Sequence, residues 1–265
     1  MITKRYRVGE IELAYADEGQ GVPLVLIHGH PLSHATWDEQ AAILRDECRV
    51  IRPDLRGLGA SSVPPGPYPM ELLASDLAAL LDVLGIERAT VVGHSLGGYV
   101  ALAFYRRFGA RVRGLGLVSS RVQGDTPEVA RMRLEMAERM EHEGMGPFAE
   151  FALPLFFGER IYDERPDIVR RVRDIVMACN PRGAAEMYRG IAARASSEDL
   201  LAQLNIPFLV ATGTADALIP PALQKYAADA VPRARYVELT GCGHFPLYER
   251  PIETTRALRD LIAYS

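Results

Sequence analysis

Ser95 stands between Gly93 and Gly97 in the stretch Gly93-His94-Ser95-Leu96-Gly97-Gly98. A serine hydroxyl is a weak nucleophile. It does acyl chemistry only when a neighbouring base takes its proton. The glycines suit a turn so sharp that the serine is forced into strained backbone geometry, where larger side chains two residues away would collide. The β-branched run Ala89-Thr90-Val91-Val92 precedes the serine and an amphipathic segment, Tyr99 to Tyr105, follows it. Strand, glycine-flanked serine, helix is the setting of a G-x-S-x-G turn, which lifts a nucleophile above a strand end and beside a helix N-terminus that favours negative charge. Six residues of this kind also fit a solvated serine in a glycine-rich turn, so the partners decide.

The base for such a serine is a histidine, and a carboxylate must hold that histidine in one tautomer and stabilise its cation. Two histidines follow Ser95. His142 lies in the charged run Glu141-His142-Glu143 and reads as a solvated helix residue. His244 lies in Gly241-Cys242-Gly243-His244-Phe245-Pro246, a glycine-rich loop after the last strand, where functional groups of open α/β sheets collect. For the acid, Asp216 follows a buried strand directly and is preferred. Asp125 is the rival, and its surroundings, Gln123-Gly124-Asp125-Thr126-Pro127, read more simply as a turn and helix cap. Acyl transfer also needs two donors for an oxyanion. The Leu96 amide is one, and the His30 amide, in the loop His28-Gly29-His30-Pro31-Leu32, is the natural second. His28 reads as a structural loop residue. The His30 side chain either lines a pocket or faces solvent. Two histidines so close raise the question of a metal, but no third ligand is visible and none is expected, nor any other cofactor.

These residues need a scaffold. Pro23 to Ile27, Arg49 to Ile51, Ala89 to Val92 and Gly114 to Val118 are short apolar runs suited to strands buried on both faces. The segments Thr36 to Asp46 and Met70 to Leu84 between them have helical patterning. Arg5 to Val8 and Ile11 to Ala16 suggest an opening hairpin. This alternation implies a mostly parallel sheet with helices on both faces. From Arg121 to about Leu200 the strands stop. Four segments opened by prolines, Pro127 to Glu143, Pro147 to Phe156, Pro166 to Ala178 and Pro181 to Ala195, read as helices of an inserted lid. Strand (Pro207 to Ala211), helix (Pro221 to Ala230), strand (Tyr236 to Leu239) and a last helix (Pro251 to Ile262) then resume. The expected division is a core of residues 1–120 and 201–265 with a lid of 121–200. Phe148 and Phe156 of the lid, with Leu218 and Phe245 beside the acid and base, are the expected substrate-pocket residues.

Composition narrows the partners. The 265 residues carry a formal charge of −4 with no basic cluster, which argues against nucleic acid. No apolar run approaches the ~20 residues of a membrane helix, and the polar start, Met1 to Arg7, lacks a secretory h-region. Cys48, Cys179 and Cys242 have no metal-like spacing and read as free thiols of a cytoplasmic protein.

Taken together, the His28-Gly29 loop with Trp37 after it, the segment Asp54-Leu55-Arg56-Gly57-Leu58-Gly59-Ala60-Ser61, the turn at Ser95 and the pair Asp216/His244 resemble the serine enzymes of the α/β-hydrolase fold over essentially the full chain. The resemblance implies the α/β-hydrolase fold, with Asp54 to Ser61 as a structural loop in which Asp54 and Arg56 are scaffold residues. Trp37 reads as a core residue rather than a substrate platform, since buried aromatics usually serve packing. A serine at the turn disfavours the dehalogenases and epoxide hydrolases of this fold, which use aspartate there. The loop at His28 is similar to those of bacterial carboxylesterases and perhydrolase-like enzymes, although the latter typically carry Trp where His30 stands. The expected activity is hydrolysis of small to medium carboxylic esters, with no cofactor, by a monomer or homodimer. Lactonase, perhydrolase and ligand-receptor roles on the same triad are the alternatives.

Overall fold

The structure, a computed structural model, describes residues 3–265. Eight strands form one sheet: β1 (Lys4–Val8), β2 (Ile11–Glu18), β3 (Pro23–Ile27), β4 (Arg49–Pro53), β5 (Ala89–His94), β6 (Val112–Val118), β7 (Phe208–Gly213) and β8 (Ala234–Leu239). Their spatial order is β1-β2-β4-β3-β5-β6-β7-β8. The β1–β2 hairpin and the β2–β4 pair are antiparallel, and every other pair is parallel.

The period-two alternation of β3 explains the two-sided core. Val25 and Ile27 face one layer while Leu24 and Leu26 face the other. The first face is covered by helices α2 (Met70–Val83) and α3 (Leu96–Phe108). The second is covered by α1 (Asp38–Leu44) and α11 (Pro251–Tyr264), which close over Leu24, Val92, Leu209 and the fully buried Trp37. The expected helix over 36–46 is split: a 3-10 turn, His34–Trp37, leads into α1.

Between β6 and β7 the described chain is helical: α4 (Pro127–Glu143), α5 (Gly146–Phe156), α6 (Ile161–Glu164), α7 (Pro166–Ala178) and α8 (Pro181–Ala192), with a 3-10 turn at Glu198–Gln203. The proline openings have a visible reason. Thr126 Oγ1 accepts the Val129 amide at 3.4 Å, and Asn180 Oδ1 accepts those of Arg182 and Gly183 at 3.0 and 3.3 Å. Proline at the next position has no amide to leave unpaired. After β7 come α9 (Pro221–Asp229) and, after β8, the single turn α10 (Pro246–Glu249). Among the described residues no helix is long and apolar enough to cross a membrane.

The chain leaves β3 toward β4 on one side and returns to β5 on the other, and Ile27 pairs with Gly93. Such a reversal opens a crevice at the carboxyl ends of the strands. The loop at His28–His30 and the turn at Ser95 therefore emerge side by side. The ends of β7 and β8, which pair Gly213 with Leu239, deliver Asp216 and His244 to the same rim.

Candidate active site

Ser95 has φ +52° and ψ −117°, the left-handed region that a residue with a side chain avoids. The surroundings hold it there. Its amide donates to the Val118 carbonyl at 2.9 Å, and its carbonyl accepts the Gly98 amide at 2.9 Å and Ser120 Oγ at 2.8 Å. A Cβ at Gly93 would overlap the Gly97 carbonyl, and one at Gly97 would overlap that of Ile27. Both glycines are thus required by close approach of backbone. Among the described residues no backbone acceptor takes the amide of Leu96, the first residue of α3, or of His30. Two donors beside one serine are the parts an oxyanion needs.

Asp216 and His244 meet as a buried pair. His244 Nδ1 lies 3.1 and 3.0 Å from the two Asp216 oxygens. Three further donors hold the carboxylate: the amides of Leu218 and Ile219 on Oδ1, and Gln224 Nε2 on Oδ2 at 2.9 Å. Gln224 is itself fixed, because its amide oxygen Oε1 accepts Thr212 Oγ1 at 2.8 Å. A histidine facing an oriented carboxylate has its proton on Nδ1 and its Nε2 free to act as base.

Two contacts tie the His244 loop to the rest. His94 Nε2 bonds the His244 carbonyl at 2.8 Å, with ring centroids 5.0 Å apart. The His244 amide donates to the Phe156 carbonyl at 2.8 Å. Below them Glu249 collects the amides of Gly158, Gly243 and Phe245 at 2.9 to 3.3 Å. Burial pushes the Glu249 carboxyl above the ordinary range, although these amides pull it down. Because its partner is a carbonyl, His94 Nε2 carries the hydrogen. Burial, reinforced by His244, keeps the ring neutral well below the ordinary histidine range.

A cavity of about 330 Å³ opens above Ser95. Its wall includes Leu96, His30, Phe148, Phe156 and Leu218, as well as Tyr188. The His30 ring thus faces the cavity rather than solvent. It packs on Tyr188 with centroids 4.4 Å apart, and its Nε2 donates to the Ala184 carbonyl at 3.0 Å. Burial pushes its pKa down to about 3. Phe245 is not on the cavity wall, contrary to expectation. Its ring is instead buried in an aromatic cluster, with centroids 4.8 and 4.9 Å from His94 and Phe156 and stacked on Tyr248, which holds it away from the wall.

The remaining sequence candidates fall elsewhere. His28 bonds within its loop, to the Gly29 carbonyl at 2.8 Å, and accepts the Leu55 amide at 3.0 Å. Asp54 accepts from His34 and Ala60, and Arg56 grips Asp76 with two bonds, so both are scaffold. Asp125 makes no bond to His244. It is not the cap of α4 either, since Thr126 fills that place. It pairs instead with Arg121, Arg133 and Arg194. Gln224, Glu249, His94 and Ser120 were not singled out by sequence reasoning. Their roles depend on contacts across the fold that no local pattern announces.

Comparison with known proteins identifies the fold and the family. A thermophilic esterase from Thermogutta terrifontis, solved with malate bound, superposes with a TM-score of 0.96 at 38% identity, covering 100% of both chains. The enol-lactonase from Burkholderia xenovorans LB400 superposes with a TM-score of 0.91 at 30% identity, over 98% of this chain and 100% of that one. In sequence, 3-oxoadipate enol-lactonase 2 of Acinetobacter baylyi is 29% identical over 248 residues, 91% of this chain and 90% of the relative. Residues 24–258 match the model of the Alpha/beta hydrolase family. The chain belongs to the alpha/beta hydrolase family.

Proposed function

We propose that the chain is a serine carboxylesterase acting through an acyl-enzyme. Ser95 Oγ attacks the ester carbonyl as its proton passes to His244 Nε2, while Asp216 holds the Nδ1 proton and steadies the imidazolium. The oxyanion rests on the amides of Leu96 and His30. Collapse of the tetrahedral adduct breaks the bond to the alkoxy oxygen, which takes the proton from His244 and leaves as alcohol. Water then repeats the sequence on the acyl group and releases the acid.

The observation that carries this reading is the buried Asp216–His244 pair, tied through His94 to the strained turn of Ser95. The helical segment between β6 and β7 acts as a lid, since α5 and α8 supply Phe148, Phe156 and Tyr188 to the cavity. A volume of about 330 Å³ lies at the low end of ligand pockets and supports small to medium acyl chains. Likeness to two enol-lactonases supports a second substrate type, a lactone opened by the same steps.

A panel of p-nitrophenyl esters from acetate to decanoate, with short lactones, tests this on wild type and Ser95→Ala. The expected outcome is best turnover on short and medium chains, falling by roughly 10⁴-fold or more in the variant. Full ester hydrolysis by Ser95→Ala would overturn the reading.

A further inference from the structure

We propose that the cavity above Ser95 contains a carboxylate-binding subsite built on Arg133 and Arg121, so that the preferred substrate is an ester or lactone bearing a free carboxylate. This rests on the esterase reading and names its substrate class.

Three guanidinium groups share one carboxylate. Asp125 Oδ1 meets Arg121 at 2.5 Å and Arg194 at 2.9 Å, and its Oδ2 meets Arg133 Nε at 2.7 Å. Among the described residues no second carboxylate lies within ion-pair reach of any of the three. Asp125 cancels one positive charge and leaves two. Burial pushes the Asp125 carboxyl up, but Arg133 and Arg194 outweigh it and keep the group ionised below the ordinary range.

The excess charge faces the cavity. Arg121 and Arg133 are on its wall, together with aromatic and aliphatic side chains, and among the described residues no Asp or Glu lines it. Arg194 is engaged elsewhere, 3.9 Å above the Tyr99 ring and bonded to the Gln123 carbonyl at 2.8 Å. Arg133 gives Asp125 only its Nε, and Arg121 gives it one terminal nitrogen. A guanidinium has five donors in a planar fork that matches a carboxylate. Arg133 lies 5.0 Å above the Tyr188 ring, and Tyr188 packs on His30. One aromatic ring therefore separates the cation from His30, the residue whose amide is proposed to serve the oxyanion.

Pinning the chain where it enters and leaves the lid would need only one cation on Asp125. Two more, with side chains only 14 and 18% exposed, incur a desolvation cost that an anionic ligand offsets. The formal charge of the chain is −4, so long-range attraction does not account for an anion preference. The effect is local.

The test compares matched pairs at low ionic strength. p-Nitrophenyl hemiglutarate against p-nitrophenyl valerate places the charge on the acyl side. 4-Acetoxybutanoate against its methyl ester places it on the alcohol side. In at least one pair the anion is expected to lead in kcat/KM by about tenfold or more, with the lead shrinking as salt rises. Arg133→Met and Arg121→Gln should each lower the anion-to-neutral ratio, Arg133→Met by about tenfold, and Arg133→Lys should restore part of it. The ratio is insensitive to general damage. A neutral ester equal to or better than its anionic partner in both pairs overturns the subsite and leaves the esterase reading standing. Calorimetry of glutarate with Ser95→Ala separates the reverse case. Glutarate binding that Arg133→Met weakens supports the subsite even if no ester is cleaved, and no binding counts against it.

Discussion

His94 Nε2 bonds the main-chain carbonyl of His244 at 2.8 Å, so the residue preceding Ser95 grips the backbone of the proposed base. Strand β5 and the loop after β8 are thereby held in register across 150 residues of sequence. Replacement of His94 by Phe keeps a buried ring and strands that carbonyl. Loss of a buried hydrogen bond costs about 1–3 kcal/mol, part of which is felt as a displaced His244. We expect kcat to fall roughly tenfold or more with a smaller change in KM. Unchanged kcat on a simple ester would show that the bond does not position the base.

The Asp216 carboxylate is oriented by Gln224 as well as by two amides. Asp216→Asn should lower kcat by about 10⁴-fold, because the histidine tautomer is no longer enforced. Gln224→Leu removes one donor from Asp216 Oδ2, which keeps His244, and leaves Thr212 Oγ1 and the Ile219 carbonyl without their Gln224 partner. It should cost roughly tenfold in kcat and about 1–3 kcal/mol in stability. Steady-state kinetics with thermal melts would reveal this graded pair. Equal losses in the two variants would contradict the division of labour.

The buried histidines predict an acid limit to stability. Burial holds His28, His30 and His94 below the ordinary range, His30 at about 3. In the unfolded chain these rings take up protons below about pH 6.5. Over the interval where the unfolded state binds protons that the folded state does not, stability falls as pH falls. Each ring contributes at most about 1.4 kcal/mol per pH unit. Asp17, Asp54 and Asp125, all held low, add their losses only below about pH 4, the unfolded carboxylate range. Glu249 has the opposite sign. Its raised value favours the fold below its unfolded value, and that contribution is lost as pH rises through the folded value. The melting temperature should therefore fall between pH 7 and pH 5, less steeply in His94→Phe. A flat profile across that window would contradict the buried neutral rings.

The parts of the site carried by short local patterns were legible in the sequence. Gly93 and Gly97 stand within two residues of Ser95 in the sequence, and the strand–turn–helix order is written in the flanking residues. The parallel sheet followed from apolar runs such as Pro23–Ile27, since a strand buried on both faces needs no polar alternation. Contacts between distant segments left no such trace. Gln224 and Glu249 look like ordinary helix residues until the fold turns them inward. Asp125 suggested a cap because a proline follows closely, yet its three arginine partners come from the loop after β6, from α4 and from beyond α8. The single turns α6 and α10 are too short to show a period.

The central claim is that Ser95 carries the acyl group, and organophosphate trapping tests it most directly. Diethyl p-nitrophenyl phosphate should release one equivalent of p-nitrophenolate per chain and leave a diethyl phosphate that peptide mass spectrometry finds on Ser95. Ser95→Ala should show neither the burst nor the adduct. An adduct on another residue, or undiminished ester turnover in Ser95→Ala, would contradict the account.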